Sequence, residues 1–289
     1  MKFFTILFIL SCINFNANAQ KELKSFHITS SHTSFPDTGR ANGHEYNKVL
    51  YNAANHYNDS SVLIIVPPKF DSYKKVDLIF WFHGWGNNID SAAVRYDLIN
   101  QLVNSNVNAL LVFAETAKDA PDSYGGKLER RNKFKELVND VMLKLAKEKG
   151  INKNCTTGNV MLAGHSGAYR VMAYILQNGN VPVSEVILFD ALYAETDKFI
   201  NWIKEDTTHR FINIYTDHGG TDNESKEMIN KLAAENISTY TLEESLLNPE
   251  ILQQHRIIVI HSLHAHNDII QKPDNFKLFI ENSVLQKIN

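Results

Sequence analysis

Residues 159–170, NVMLAGHSGAYR, limit the fold around them more tightly than any other part of this chain. Four apolar residues, Val160 to Ala163, run straight into Gly164-His165-Ser166-Gly167-Ala168. Such a run reads as a short buried strand, and the residues after Ala168 continue as a helix. A strand that turns directly into a helix leaves no room for bulk at the crossing, so Gly and Ala flank the serine. The same sharp turn lifts the Ser166 hydroxyl clear of the sheet edge and leaves the Gly167 N–H beside it.

The flanking sequence keeps one rhythm. Apolar runs at residues 61–66, 76–82, 109–114, 186–189, 211–215 and 256–260 read as strands. Helical spacing is expected at 90–104 (Val94, Leu98, Leu102 and Val103 on one face), 128–149, 198–204, 224–235 and 275–285. The runs are continuous rather than alternating, as in strands buried on both faces. Strand–helix alternation of this kind predicts an α/β fold, a mostly parallel central sheet with helices on both faces. In such sheets the active groups gather at the carboxyl ends of the strands. His83, Ser166, Asp190, Asp217 and His266 all fall at or just beyond such ends.

The first residues follow another logic. Lys2 precedes a short apolar run, and Ala17-Asn18-Ala19 forms a small-residue cleavage site, so residues 1–19 read as a signal peptide cut after Ala19. That implies a secreted or periplasmic product. Ile9-Leu10-Ser11-Cys12 offers a rival lipoprotein reading at Cys12. The apolar run is too short to span a bilayer, and no membrane span is expected elsewhere. Loss of the signal leaves Cys155 as the single cysteine and moves the formal charge from −3 to −4, since Lys2 is the charge removed. With no basic stripe, nucleic acid is excluded as a partner. Residues 20–289 are expected to form one domain, with 20–60 an N-terminal extension or edge strand that holds one possible strand at 25–28.

Together, the Gly164–Ala168 turn and His83-Gly84-Trp85, each after a strand and in this order, resemble the α/β-hydrolase superfamily of serine hydrolases, esterases and lipases among them. The resemblance covers roughly residue 61 to the C-terminus. Ala168 departs from the commoner glycine at its position but stays small. The resemblance implies Ser166 as nucleophile, the N–H groups of Trp85 and Gly167 as the oxyanion hole, and an acid and then a histidine further along the chain. For the base, His266 is preferred to His264, because it precedes the last helix. For the acid, Asp190 is preferred, since it directly follows an apolar run; Asp217 is the alternative, with Asp222 just beyond. Each of these aspartates also reads as an ordinary helix cap or loop residue. His261, His264 and His266 together invite a metal reading, but their spacing lacks a carboxylate or thiolate partner, so no metal and no cofactor is expected. Trp81, Trp85 and Tyr169 are candidate pocket walls, Arg170 a candidate partner for a carboxylate, and 119–127 a candidate lid. The implied reaction is hydrolysis of an ester on a small molecule or polymer. A peptidase or amidase with the same groups, and a non-catalytic binding protein on the same fold, are the rivals. Oligomeric state is open.

Overall fold

A computed structural model describes residues 22–72, 75–148 and 151–288. The expected signal, its cleavage site and Cys12 lie outside them. Eleven strands are formed among the described residues: β1 (Lys24–Thr29), β2 (His44–Tyr46), β3 (Val49–Tyr51), β4 (Ser61–Val66), β5 (Lys75–Phe82), β6 (Ala109–Ala114), β7 (Thr156–His165), β8 (Glu185–Phe189), β9 (Arg210–Thr216), β10 (Tyr240–Glu243) and β11 (Ile257–Ser262). Nine of them make one sheet in the order β1-β4-β6-β5-β7-β8-β9-β11-β10, and β2–β3 is a separate hairpin. Strand β4 pairs antiparallel with both neighbours, and every other pairing in the sheet is parallel. The mostly parallel sheet expected from the apolar runs is therefore observed.

Alternate residues of each strand feed two cores. Val62, Ile64, Leu78, Phe80, Val160 and Leu162 face one side, where Lys133–Leu145, Tyr169–Asn178, Thr196–Glu205 and Asp222–Ala234 pack. Leu63, Ile65, Ile79, Trp81, Met161 and Ala163 face the other, covered by Ile89–Arg95, Leu98–Val103 and Asn275–Glu281. Strands packed on both faces lose all contact with water, which is why they carry no polar alternation. The pairs Phe82↔Gly164 and His165↔Phe189 bring the ends of β5, β7 and β8 level. His83, Ser166 and Asp190 thus leave the sheet along one edge.

Three helices differ from expectation. Residues 90–104 form two pieces, Ile89–Arg95 and Leu98–Val103, broken where Asp97 takes φ 52. The break turns Tyr96 inward and leaves Val94, expected on the apolar face, 77% exposed. The helix expected from 128 begins at Lys133, because Arg130 is extended and Asn132 left-handed; a 3-10 turn, Gly126–Glu129, precedes it. The last helix ends at Glu281. The β2–β3 hairpin and β10 were not foreseen: both are short and mostly exposed, so no apolar run marks them. Residues 25–28 do form an edge strand, β1, along β4. Among the described residues no helix is long and apolar enough to cross a membrane.

Candidate active site

The elbow forms where the small residues require it. Ser166 follows β7 directly, with φ 55, and the helix Tyr169–Asn178 starts three residues later. A non-glycine residue in the left-handed region is uncommon and clusters at functional sites. A Cβ on Gly164 would stand 2.7 Å from that of Ala168, and one on Gly167 2.4 Å from the Trp85 ring. The crossing therefore admits no side chain. The His83-Gly84-Trp85 turn comes up against the serine: a Cβ on Gly84 would lie 2.7 Å from Ser166 Cβ. Gly86 has a different reason to be glycine. Nothing lies within 4 Å of its missing Cβ, but its φ is +61. Gly84 thus allows a close approach of the two turns, while Gly86 meets a backbone requirement.

Beside the elbow, Asp190 and His266 come together. Asp190, fully buried at the end of β8, accepts from His266 Nδ1 at 2.7 Å. It also accepts from the Thr216 N–H at 3.2 Å, the Thr216 hydroxyl at 2.6 Å and the Thr221 hydroxyl. Burial alone would raise its pKa, but the bonds from His266, Thr216 and Thr221 outweigh burial and hold the carboxyl below its ordinary range. Four donors satisfy the carboxylate, and Nδ1 is committed to it, so Nε2 is left as the free face of His266. Ser166 and Tyr193 line the same pocket. Tyr193 donates to the Gly219 carbonyl.

His165, the residue before the serine, packs its ring 4.4 Å from that of His266. Its Nε2 donates to the His266 carbonyl at 2.9 Å, and its Nδ1 faces the Tyr96 hydroxyl at 3.1 Å. Burial, and then the neighbouring His266, lower its pKa to about 3, so it stays neutral. The loop that carries His266 is therefore tied to the elbow itself. His83 is the opposite case. Burial works against its charge, yet the Glu115 carboxylate at 2.6 Å prevails and the pKa is raised. Its Nδ1 donates to the Gly84 carbonyl at 2.8 Å, which fixes the turn beside Ser166.

Above Ser166 lies a pocket of about 260 Å³, lined by Trp85, Ser123, Gly167, Tyr169 and Tyr193. The loop that supplies Ser123 was a candidate lid. Here it is a wall, held by the N-terminal segment. Arg40 pairs with Asp122 at 2.6 Å, Arg130 with the buried Asp37, and Tyr124 donates to Asp37 at 2.9 Å. Phe35, Tyr57, Ala117 and Ala120 form a small core between the two. Ser123 accepts from Trp85 Nε1 at 2.8 Å, which sets the indole.

The other candidates lie apart. Asp217, the alternative acid, pairs with His261 at 2.8 Å, and His261 also meets Glu243 at 2.8 Å. Asp222 opens a helix and pairs with Lys226. His264, the alternative base, is exposed and stands 3.9 Å from Glu244. The three histidines thus point to different partners. Arg170 pairs with Glu129 at 2.7 Å, Trp81 is core, and Cys155 is free and half-buried. Sequence reasoning missed Thr216, Thr221, Tyr193, Ser123 and Glu115. The two threonines lie on either side of Asp217, the alternative acid, and turn their hydroxyls to Asp190 instead.

Comparison of the sequence with protein-family models gives no match, and neither does comparison with curated proteins. Solved structures do match. FphF, a fluorophosphonate-binding serine hydrolase of Staphylococcus aureus, superposes with TM-score 0.52 at 10% identity, over 91% of this chain and 98% of its own. A ferulic acid esterase gives 0.53 at 11%, over 90% and 99%. An S-formylglutathione hydrolase from Agrobacterium tumefaciens gives 0.50 at 10%, over 90% and 95%. With the antiparallel β4, the turn after β7 and the level strand ends, these likenesses show that this chain has the α/β-hydrolase fold.

Proposed function

We propose that this chain is a serine hydrolase that cleaves an ester through an acyl-enzyme. The observation that carries the reading is the Asp190–His266 pair, docked on the residue before a left-handed Ser166. The Ser166 hydroxyl gives up its proton to His266 Nε2 and attacks the acyl carbon. The oxyanion is held by the N–H groups of Trp85 and Gly167. As the tetrahedral intermediate collapses, the carbon–oxygen bond to the alcohol breaks, and His266 passes its proton to the leaving oxygen. Water then enters, gives a proton to His266 and attacks the acyl carbon. Collapse frees the acid and returns the proton to Ser166. Asp190 holds His266 in the tautomer this needs and stabilises its imidazolium. The scheme calls on no metal and no cofactor.

The low pocket volume and the absence of a charged group among its lining residues favour a small neutral acyl group. The names of two structural neighbours, a ferulic acid esterase and an S-formylglutathione hydrolase, support an ester over an amide. We further propose that residues 1–19 are removed on export; N-terminal sequencing of the mature protein tests this. The hydrolase reading is tested by labelling with a fluorophosphonate probe. Wild type and His264→Ala should label, and Ser166→Ala and His266→Ala should not. Labelling of Ser166→Ala would overturn it. Parallel rates on aryl esters and anilides separate esterase from amidase, and a folded wild type inert to both probe and substrates would mark a binding protein.

A further inference from the structure

The pocket over Ser166 encloses only about 260 Å³. Pockets that swallow a whole drug-sized ligand run from about 300 to 1,000 Å³. One side of an ester fits within; the other must lie outside. What adjoins the mouth is aromatic. Trp85 lines the pocket, yet it is 47% exposed. Its ring meets that of Tyr46, on β2, at 5.3 Å and 71°. Val49 stands directly opposite Tyr46 in the hairpin ladder, so the two share a face. They are 52% and 38% exposed, Val49 the more so.

The hairpin that presents them is fixed at both ends. At its tip, Asn47 and Lys48 both take positive φ, 48 and 65, the turn geometry whose twist matches paired strands. At its base, Tyr51 packs on the Phe35–Tyr57 core and on the His56 ring, and His56 bonds the Lys118 carbonyl at 2.8 Å. The uncovered rings are therefore held in place without a protein partner. Single exposed apolar residues need no explanation, but a rigid aromatic group continuous with a reactive pocket does. Its setting decides the occupant. Asn47 and Lys48, in the turn beside it, are exposed, an amide and a positive charge. That frame breaks up any broad apolar face of the kind a lipid surface requires, and it leaves a ring-sized platform edged with hydrogen-bonding groups.

We propose that Trp85, Tyr46 and Val49 form a shelf for the alcohol side of the ester, and that this alcohol is a carbohydrate. A sugar ring has an apolar C–H face to lie on an aromatic ring and hydroxyls at its rim to meet polar side chains. The inference rests on the esterase reading, since the occupant is the leaving group of the reaction at Ser166. It goes further in naming what is left.

The test compares an O-acetylated xylo-oligosaccharide with p-nitrophenyl acetate, which share an acyl group. In Tyr46→Ala, kcat/KM for the sugar ester relative to the aryl ester should fall about tenfold, chiefly through KM. Val49→Asn, which keeps the ring, should lower the ratio about threefold. Leu50→Ala, on the outer face of the same hairpin, should leave it unchanged. An unchanged ratio in folded Tyr46→Ala overturns the proposal. So does a wild type that cleaves the aryl ester and not the sugar ester, which would leave the esterase reading standing. Activation by phosphatidylcholine vesicles that Tyr46→Ala abolishes, or a dimer that the same variant dissolves, would also overturn it, by assigning the shelf to lipid or to a second copy. A wild type that neither labels with a fluorophosphonate nor cleaves either ester would instead remove the esterase reading.

Discussion

Replacing Gly84 by alanine tests the proposed site with one methyl group. That methyl would stand 2.7 Å from Ser166 Cβ, 2.9 Å from the His165 carbonyl oxygen and 3.3 Å from Ser166 Oγ. Carbon atoms rest at about 3.5–4.0 Å, so the two turns must part by roughly 1 Å. Neither yields easily. Gly84 follows β5 within two residues, and Ser166 follows β7 directly, and the two strands are paired up to Phe82↔Gly164. Since Trp85 is the proposed oxyanion donor, its N–H moves with the turn. A misplacement of about 1 Å costs on the order of 100-fold in rate, or about 2.7 kcal/mol in the barrier. Overpacking adds roughly 1–3 kcal/mol of destabilisation. Gly86→Ala is the matched control. It meets no atom, and its left-handed φ alone should cost about 1–2 kcal/mol of stability with little change in rate. The assay is kcat on p-nitrophenyl acetate, corrected for active enzyme by titration, together with the thermal midpoint. If Gly84→Ala kept kcat within about threefold of wild type, the turn would not hold the reacting atoms and the assignment of Trp85 would fall.

Further outcomes follow from the same geometry. Asp190→Asn should lower kcat about 10³–10⁴-fold on an aryl ester, while Asp217→Asn, whose carboxylate meets His261, should not; equal losses would sink the choice of acid. His165→Phe keeps the ring but removes the bonds to the His266 carbonyl and the Tyr96 hydroxyl, so kcat should drop about tenfold with KM little moved, and stability by about 1–3 kcal/mol; a change in KM alone would argue against positioning. His83 has a raised pKa when folded, so the stability it contributes is full below its unfolded value near 6.5 and fades as pH climbs through the folded value. The gap in thermal midpoint between wild type and His83→Gln should therefore be widest on the acid side and narrow as pH rises above 6.5; a gap that widens with pH would reverse the sign of that shift.

What the sequence disclosed follows from where its signals come from. Strands covered on both faces, such as Ala109–Ala114, are apolar throughout, and their runs stand out. The elbow was legible because steric exclusion leaves a mark at Gly164, Gly167 and Ala168. Asp190 was marked by a charge at the end of the run Val186 to Phe189. The groups that surround these residues leave no such mark. Thr216, at the end of β9, and Thr221, just before the helix Asp222–Ala234, reach Asp190 with no period to betray them. Tyr96 turns inward only because Asp97 breaks a helix that spacing alone would continue. The N-terminal segment contributes through ion pairs and rings separated by some eighty residues of chain, as Arg40 is from Asp122.

That last feature has an evolutionary and engineering consequence. The strand ends carry the proposed reacting groups, while residues 30–60 and 117–131 pack together beside the pocket over Ser166, and the two halves of that wall are written far apart. A new specificity can be grafted without touching Ser166, Asp190 or His266, but only as a matched exchange. A foreign hairpin set against the native loop would strand Asp37, which is buried opposite Arg130, and Asp122, which is paired with Arg40. Chimeras that swap both segments together should keep their reactivity toward a fluorophosphonate and change their substrate; those that swap one should lose stability first.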